Sequence, residues 1–193
     1  MKNILSSATR KGFNLGIVAT CSALVLICFL ADVCHAATAR EIDVSVDVAL
    51  ERFYNEVKGG KEFLEAAKGV LVFPGVVKAG VGIGGEYGEG ALRIKRKTVD
   101  YYNTVAASVG WQLGVQKKTV ILVFMQEEAL KKFRNSSAFE VGVDGSVALV
   151  EVGVDVPIDT TSIRNPIVGF VFGQKGLMYN LTLEGSKYTK LKK

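Results

Sequence analysis

From Gly69 onward the apolar residues recur at every second position, and glycines repeatedly take the positions between them. In AGVGIGG, strand spacing sends Gly80, Gly82 and Gly84 to one face and Ala79, Val81 and Ile83 to the other. The alternation returns where Val109, Trp111, Leu113 and Val115 stand against Gly110, Gln112 and Gly114. It returns again where Ile167, Gly169, Val171 and Gly173 stand against Val168, Phe170 and Phe172. A strand with one bare face coils tightly or lets another layer approach its backbone, as small closed or half-closed barrels require. This pattern commits most of the chain to β architecture.

Gly80, Gly82 and Gly85 also spell GxGxxG, the spacing of a dinucleotide loop. That loop works only where a strand ends at the first glycine and a helix opens at the last, aiming helix amides at the phosphates. Here EYGEGALRIKRK follows, with Gly88 and Gly90 each costing a helix about 1 kcal/mol. Leu92 and Ile94 then alternate with Arg93, Lys95 and Lys97 in strand fashion. No acidic residue closes a second apolar strand where a ribose contact would need one. A β segment is expected, and no cofactor.

Before Gly69 the period is helical. Val46, Leu50, Phe53, Tyr54 and Val57 make one face of a helix over Ser45–Lys58, with Ser45 as its N-cap. Gly59 and Gly60 break it, and KEFLEAAK forms a second helix with Phe63, Leu64 and Ala67 inward and Gly69 as its C-terminal cap. The strands then read GVLVF, AGVGIGG, ALRIK, TVDYYNTVA, SVGWQLGV and TVILVF. QEEALKKFR is an internal helix in which Glu127 and Glu128 precede Lys131 and Lys132 by four residues. Next come a hairpin of AFEVGV and SVALVEV across Asp144-Gly145, and a last hairpin of IVGFVF, a QKG turn and LMYNLTL. The fold class is α+β: an antiparallel, glycine-rich, barrel-like core with N-terminal amphipathic helices and one internal helix.

Lys2, Arg10 and Lys11, the run LGIVATCSALVLICFLA and Cys34-His35-Ala36-Ala37 have the layout of a signal peptide. Small residues at Cys34 and Ala36 suit cleavage before Ala37, giving residues 1–36 as signal peptide and 37–193 as one domain with a periplasmic or secreted location. Two alternatives are lipid attachment at Cys34, against which Val33 and Ala31 fit a lipobox poorly, and retention as a short anchor. Cys21, Cys28, Cys34 and His35 are all the cysteine and histidine there is. Without them residues 37–193 cannot build a Ser/His/Asp or Cys/His pair, a thiolate or imidazole metal site, or a disulfide. Nor does any serine there have a lysine three residues on. Catalysis would be left to carboxylates, with Glu86 and Glu89, or Asp144, Glu151, Asp155 and Asp159, as candidates, and a non-enzyme is expected. Residues 37–193 carry 21 basic and 18 acidic side chains, too even a balance to imply nucleic-acid binding.

AKGVLVFP (Ala67–Pro74) followed at once by KAGVGIGGEYGEG (Lys78–Gly90) resembles the signature of the SYLF domain, or Las17-binding (DUF500, Ysc84-type), family. ILVFMQEEALKKF, FEVGVDGSVALVEVG and GLMYNLTLEGS resemble the later blocks of that family in the same order, so the likeness runs from Glu65 to Lys190. It implies a non-enzymatic lipid-binding module, of which eukaryotic relatives bind phosphoinositides and some bind actin, while bacterial members are exported. The family's eukaryotic membrane contact is a basic amphipathic N-terminal helix. In this chain Arg40 and Arg52 are outweighed by Glu41, Asp43, Asp47, Glu51 and Glu56, so the helix is expected to pack on the barrel.

Anionic lipid or a membrane surface, the partner the resemblance implies, is then left to basic residues elsewhere. Arg93, Lys95 and Lys97 are expected on one strand face with Arg96 beside them, Lys117 and Lys118 on a turn, and Lys187, Lys190, Lys192 and Lys193 at the end of the chain. The lipid-binding candidates are Arg93, Lys95, Arg96, Lys97, Lys187, Lys190, Lys192 and Lys193. A protein partner is the alternative. One four-residue cluster contributes about 4 kcal/mol at an anionic surface, so a second cluster or inserted apolar side chains are needed to hold the protein there.

Overall fold

The structure is a computed structural model that describes residues 37–151, 164–176, 183 and 185–193, with the backbone alone at 81–82, 108–113, 151 and 176. The expected signal segment with its cysteines and histidine, Asp155, Asp159 and residues 177–182 of the last expected strand lie outside the described residues.

Among the described residues three helices, α1 (Ala39–Glu56), α2 (Gly60–Ala66) and α3 (Glu127–Asn135), accompany six strands. The strands are β1 (Gly69–Ile94), β2 (Lys97–Phe124), β3 (Ala138–Glu140), β4 (Ala148–Glu151), β5 (Ile167–Gly176) and β6 (Lys187–Leu191). The fold is mixed α+β, and its curled, mostly antiparallel sheet forms a half-barrel. Its spine is β2, which pairs with β1 along one edge. The other edge is shared, Tyr101–Val105 pairing with β6 and Gln116–Phe124 with β5. β3 joins β6, and β4 runs parallel to β5.

Six expected short strands are thus two long ones. Of the expected breaks, Pro74-Gly75 is absorbed by a register shift between Phe73 and Val76 and Lys117-Lys118 by one between Lys117 and Thr119 against β5, while Glu86–Gly90 pairs with Tyr102–Ala106 without a shift. A bulge bends a strand without ending it. Lys117 and Lys118 accordingly lie within β2 and form no turn, and Glu86 and Glu89 lie within β1.

β1 folds back on itself about Gly82. A Cβ on Gly80 would lie 2.6 Å from the Ile83 carbonyl oxygen, one on Gly88 would meet the Val76 Cα at 3.1 Å, and one on Gly90 would meet Phe73 Cδ1 at 2.7 Å. Lys78 and Glu86 face each other across the same fold at 3.4 Å. The GxGxxG stretch is therefore a strand reversal in which glycine permits backbone contact between two layers of one hairpin.

Thr38 caps α1 in a capping box with Glu41, so the helix opens well before Ser45. Ile42, Val46, Ala49 and Phe53 are its buried face, which packs on β1. Gly59, at φ 76°, reverses the chain into α2. Ala67 is the C-cap of α2 and Gly69 opens β1. Phe53 and Phe63 meet Phe170 edge-on at 4.9 and 5.5 Å, closing the helix-covered face of the sheet.

The opposite face is centred on Phe133 of α3, whose ring lies 4.8 Å from Tyr102, 4.9 Å from Phe124 and 5.2 Å from Phe139. The i,i+4 ion pairs expected on α3 are not formed among the described residues: Lys132 bonds the Asp144 carbonyl oxygen and Arg134 pairs with Asp100. The hairpin across Asp144-Gly145 is absent too. Asp144 instead folds its carboxylate back onto the Glu140 amide, which frees β3 to pair with β6 and β4 with β5. QKG continues β5 as far as Gly176. The basic chain end is strand β6, because Tyr188 points into the core while Lys187 and Thr189 point out.

Burial, reinforced by the Asp100 charge, pushes the Tyr102 hydroxyl up to about 12, and burial also raises that of Tyr188. A raised tyrosine pKa stabilises the fold fully below pH 10 and loses that contribution as pH climbs through the folded-state value. The urea midpoint is expected to hold to about pH 10 and then fall, at about 1.4 kcal/mol per pH unit for each tyrosine. Tyr102→Phe should flatten the slope, and a midpoint constant through pH 11.5 in the native chain would refute the assignment.

Candidate functional site

The β1–β2 hairpin ends in a two-residue turn, Lys95-Arg96, between the paired residues Ile94 and Lys97. Both turn residues are left-handed, at φ 49° and 67°. Such turns favour Asn-Gly because a Cβ at positive φ costs about 1 kcal/mol or more per residue. Here a lysine and an arginine bear that cost and project from the end of the sheet.

Beside them α1 and α2 cross the start of β1 and leave a groove of about 610 Å³. Leu50, Leu64, Ala67 and Val70 supply its apolar lining, with Tyr54 among them. Arg93, Lys95 and Arg96 bring positive charge, while Asp47, Glu51 and Glu65 bring negative charge. The volume suits a small-molecule site. Burial raises the Tyr54 pKa; Arg96 and Arg93 pull it down and Glu65 pushes it up, which places that hydroxyl within reach of charges of both signs.

Arg93 is not available to a ligand. Its guanidinium, 14% exposed, donates to Asp47 Oδ1 at 2.5 Å and to the Asp43 carbonyl oxygen at 3.3 Å. The Asp43 carboxylate accepts from Thr98 at 2.7 Å and from Tyr101 at 2.9 Å. These bonds pin the first half of α1 to the hairpin end, so two of the acidic residues that make the helix negative are spent inside the fold.

The eight basic candidates divide accordingly. Arg93 pairs with Asp47, Lys187 with Glu140 at 3.2 Å, Lys190 with Asp100, and Lys193 with Glu89 at 3.0 Å. Among the described residues Lys95, Arg96, Lys97 and Lys192 enter no ion pair. The structure brings Arg93, Lys95 and Arg96 together at the groove, but not on one strand face: Arg93 turns to α1, Lys95 and Arg96 make the turn, and Lys97 opens β2 outside the groove lining. Sequence reasoning missed Tyr54, Glu51 and Glu65 as groove residues. Their helical spacing was legible, but the docking of α2 beside the turn was not.

Of the carboxylate candidates, Glu86 is clamped between Lys78 and Lys118, and Glu89 is bonded by Tyr87 and Lys193. Among the described residues no group of histidine, cysteine, aspartate or glutamate could hold a metal ion, and no helix is long and apolar enough to cross a membrane.

No curated protein matches the chain. Residues 105–193 match the family model described as Las17-binding protein actin regulator, Ysc84. The match begins within β2 and takes in α3 and β3 to β6, so the groove residues precede it. The likeness to the Ysc84, or SYLF, family thus rests on residues 105–193.

Proposed function

We propose that the protein is an exported, non-enzymatic module that associates peripherally with a membrane by holding a lipid head group, its phosphate on Lys95 and Arg96. The observation carrying this reading is the left-handed Lys95-Arg96 turn beside the groove, two cations without an ion-pair partner among the described residues in a backbone conformation that disfavours them. Strain kept at such a position points to a use for those side chains. Lys97 and Lys192 add diffuse positive charge. The family match over residues 105–193 supports a binding module.

Replacing the turn by Asn-Gly, as Lys95→Asn/Arg96→Gly, tests the proposal in a variant that should fold at least as well as the native chain. Its melting temperature is expected to rise while co-sedimentation with anionic vesicles falls to background. Native binding should also weaken with added salt, since exposed charges are screened over about 8 Å at physiological ionic strength. Undiminished binding by the Asn-Gly variant would remove the turn from the site. Export is tested by intact mass: the secreted form should begin at or near Ala37, and a diacylglyceryl adduct on Cys34 would make it a lipoprotein.

The family description names a protein-binding actin regulator, and this favours a second reading in which the module binds a protein partner. Vesicle binding at background for the native chain would leave that reading in place.

A further inference from the structure

The acidic side of the groove is unexplained by a purely anionic ligand. Glu51 and Glu65 line the same space as Lys95 and Arg96, yet among the described residues neither glutamate enters an ion pair with them or with any other cation. Asp47, the third acid, is already taken by Arg93. A phosphate alone would gain from Lys95 and Arg96 and be repelled by Glu51 and Glu65, whereas a ligand carrying a cation a few bonds from its phosphate would satisfy both sides. Tyr54 lies among these charges, its hydroxyl feeling Arg96 and Glu65 together. Its ring offers a cation a further favourable surface.

We infer that the groove takes a zwitterionic phosphoester with a primary ammonium, of the phosphoethanolamine kind, its phosphate on Lys95 and Arg96 and its ammonium on Glu51 and Glu65. The inference rests on the head-group reading above and narrows its ligand class. A primary ammonium is preferred over a quaternary one because it donates hydrogen bonds to carboxylates, which a trimethylated nitrogen does not. The apolar residues Leu50, Leu64 and Val70 then meet the carbon chain between the charges or the first part of a lipid tail.

The test uses the full-length protein against phosphatidylcholine vesicles with and without phosphatidylethanolamine, phosphatidylglycerol vesicles, and free phosphoethanolamine, inorganic phosphate and ethanolamine followed by calorimetry. Phosphatidylethanolamine and phosphoethanolamine are expected to bind about tenfold more tightly than the singly charged or quaternary competitors, the gain expected of two exposed charge pairs. Glu51→Gln/Glu65→Gln, at two exposed positions, should erase that preference and improve binding to phosphatidylglycerol.

If the native chain prefers phosphatidylglycerol to phosphatidylethanolamine, or if the double variant keeps the preference, the inference fails while the lipid reading survives. If free phosphoethanolamine binds and phosphatidylethanolamine vesicles do not, the ligand chemistry holds and the lipid source is wrong. If neither vesicles nor free head groups bind, both readings fall.

Discussion

Gly90→Ala is expected to cost the fold about 3 kcal/mol or more, whereas Gly85→Ala, five residues earlier on the same strand, should change stability by less than about 0.5 kcal/mol. Both residues lie in β1, and neither has a positive φ that a side chain would strain. The contrast is therefore purely one of space. An alanine Cβ at Gly90 would run into the Val72 carbonyl oxygen and Phe73 Cδ1, and a carbonyl in the opposing layer cannot rotate away as the end of a flexible side chain can. At Gly85 the nearest atom to the new carbon is the Ala106 carbonyl oxygen, 3.9 Å away, an ordinary contact. Urea denaturation of the two variants measures the difference. Equal midpoints would mean that the two layers of β1 are not in contact at Gly90, and the strand reversal about Gly82 would have to be abandoned.

The same reversal marks the limit of what the sequence discloses. Alternation of glycine with apolar residues was legible as a strand with a bare face because side-chain direction in a strand follows from position alone. What the bare face would meet was not, since Gly90 touches Val72 only after the hairpin folds double, and no local pattern encodes that. Element lengths failed for a related reason: proline and paired lysines look like stops in a strand, but a long strand absorbs each with a bulge when its partner runs beside it, and the glycines of Glu86–Gly90 pair in unbroken register. Thr38-Ala-Arg-Glu41 was a readable capping box that lost to the more conspicuous apolar spacing after Ser45. β4 beside β5 is a parallel pairing, which no turn signal announces. At the candidate site the basic cluster was visible as composition. Which members are free was decided at a distance, by Asp43 and Asp47 reaching Arg93 from α1.

Lys118, expected on a turn, shows the same limit in its most costly form, because it and Lys78 are each 1% exposed. Lys78 faces Gln116 across the β1–β2 ladder, and Lys118 lies two residues further along β2, so the two side chains share one inward face as diagonal neighbours. Glu86 arrives from the folded-back half of β1, itself 8% exposed, with its two carboxylate oxygens 3.4 Å from the Lys78 ammonium and 2.8 Å from that of Lys118. One carboxylate thus compensates two buried cations.

Removing it as Glu86→Gln leaves two ammonium groups facing each other out of water. Breaking a buried pair in this way costs about 3–5 kcal/mol. That is a large fraction of the ~5–15 kcal/mol that holds a typical domain together, so Glu86→Gln is expected to unfold at a much lower urea concentration than the native chain. The penalty belongs to the stranded charges, not to the missing carboxylate. It should therefore shrink when they go as well, and Lys78→Met/Glu86→Gln/Lys118→Met is expected to recover most of the lost stability, since apolar groups of similar length fill the same space. A urea midpoint for the triple variant no higher than that of Glu86→Gln would show that the cost comes from lost packing or hydrogen bonding around Glu86 and not from uncompensated lysines. A near-native midpoint for Glu86→Gln itself would place the two lysines in contact with water and refute their burial.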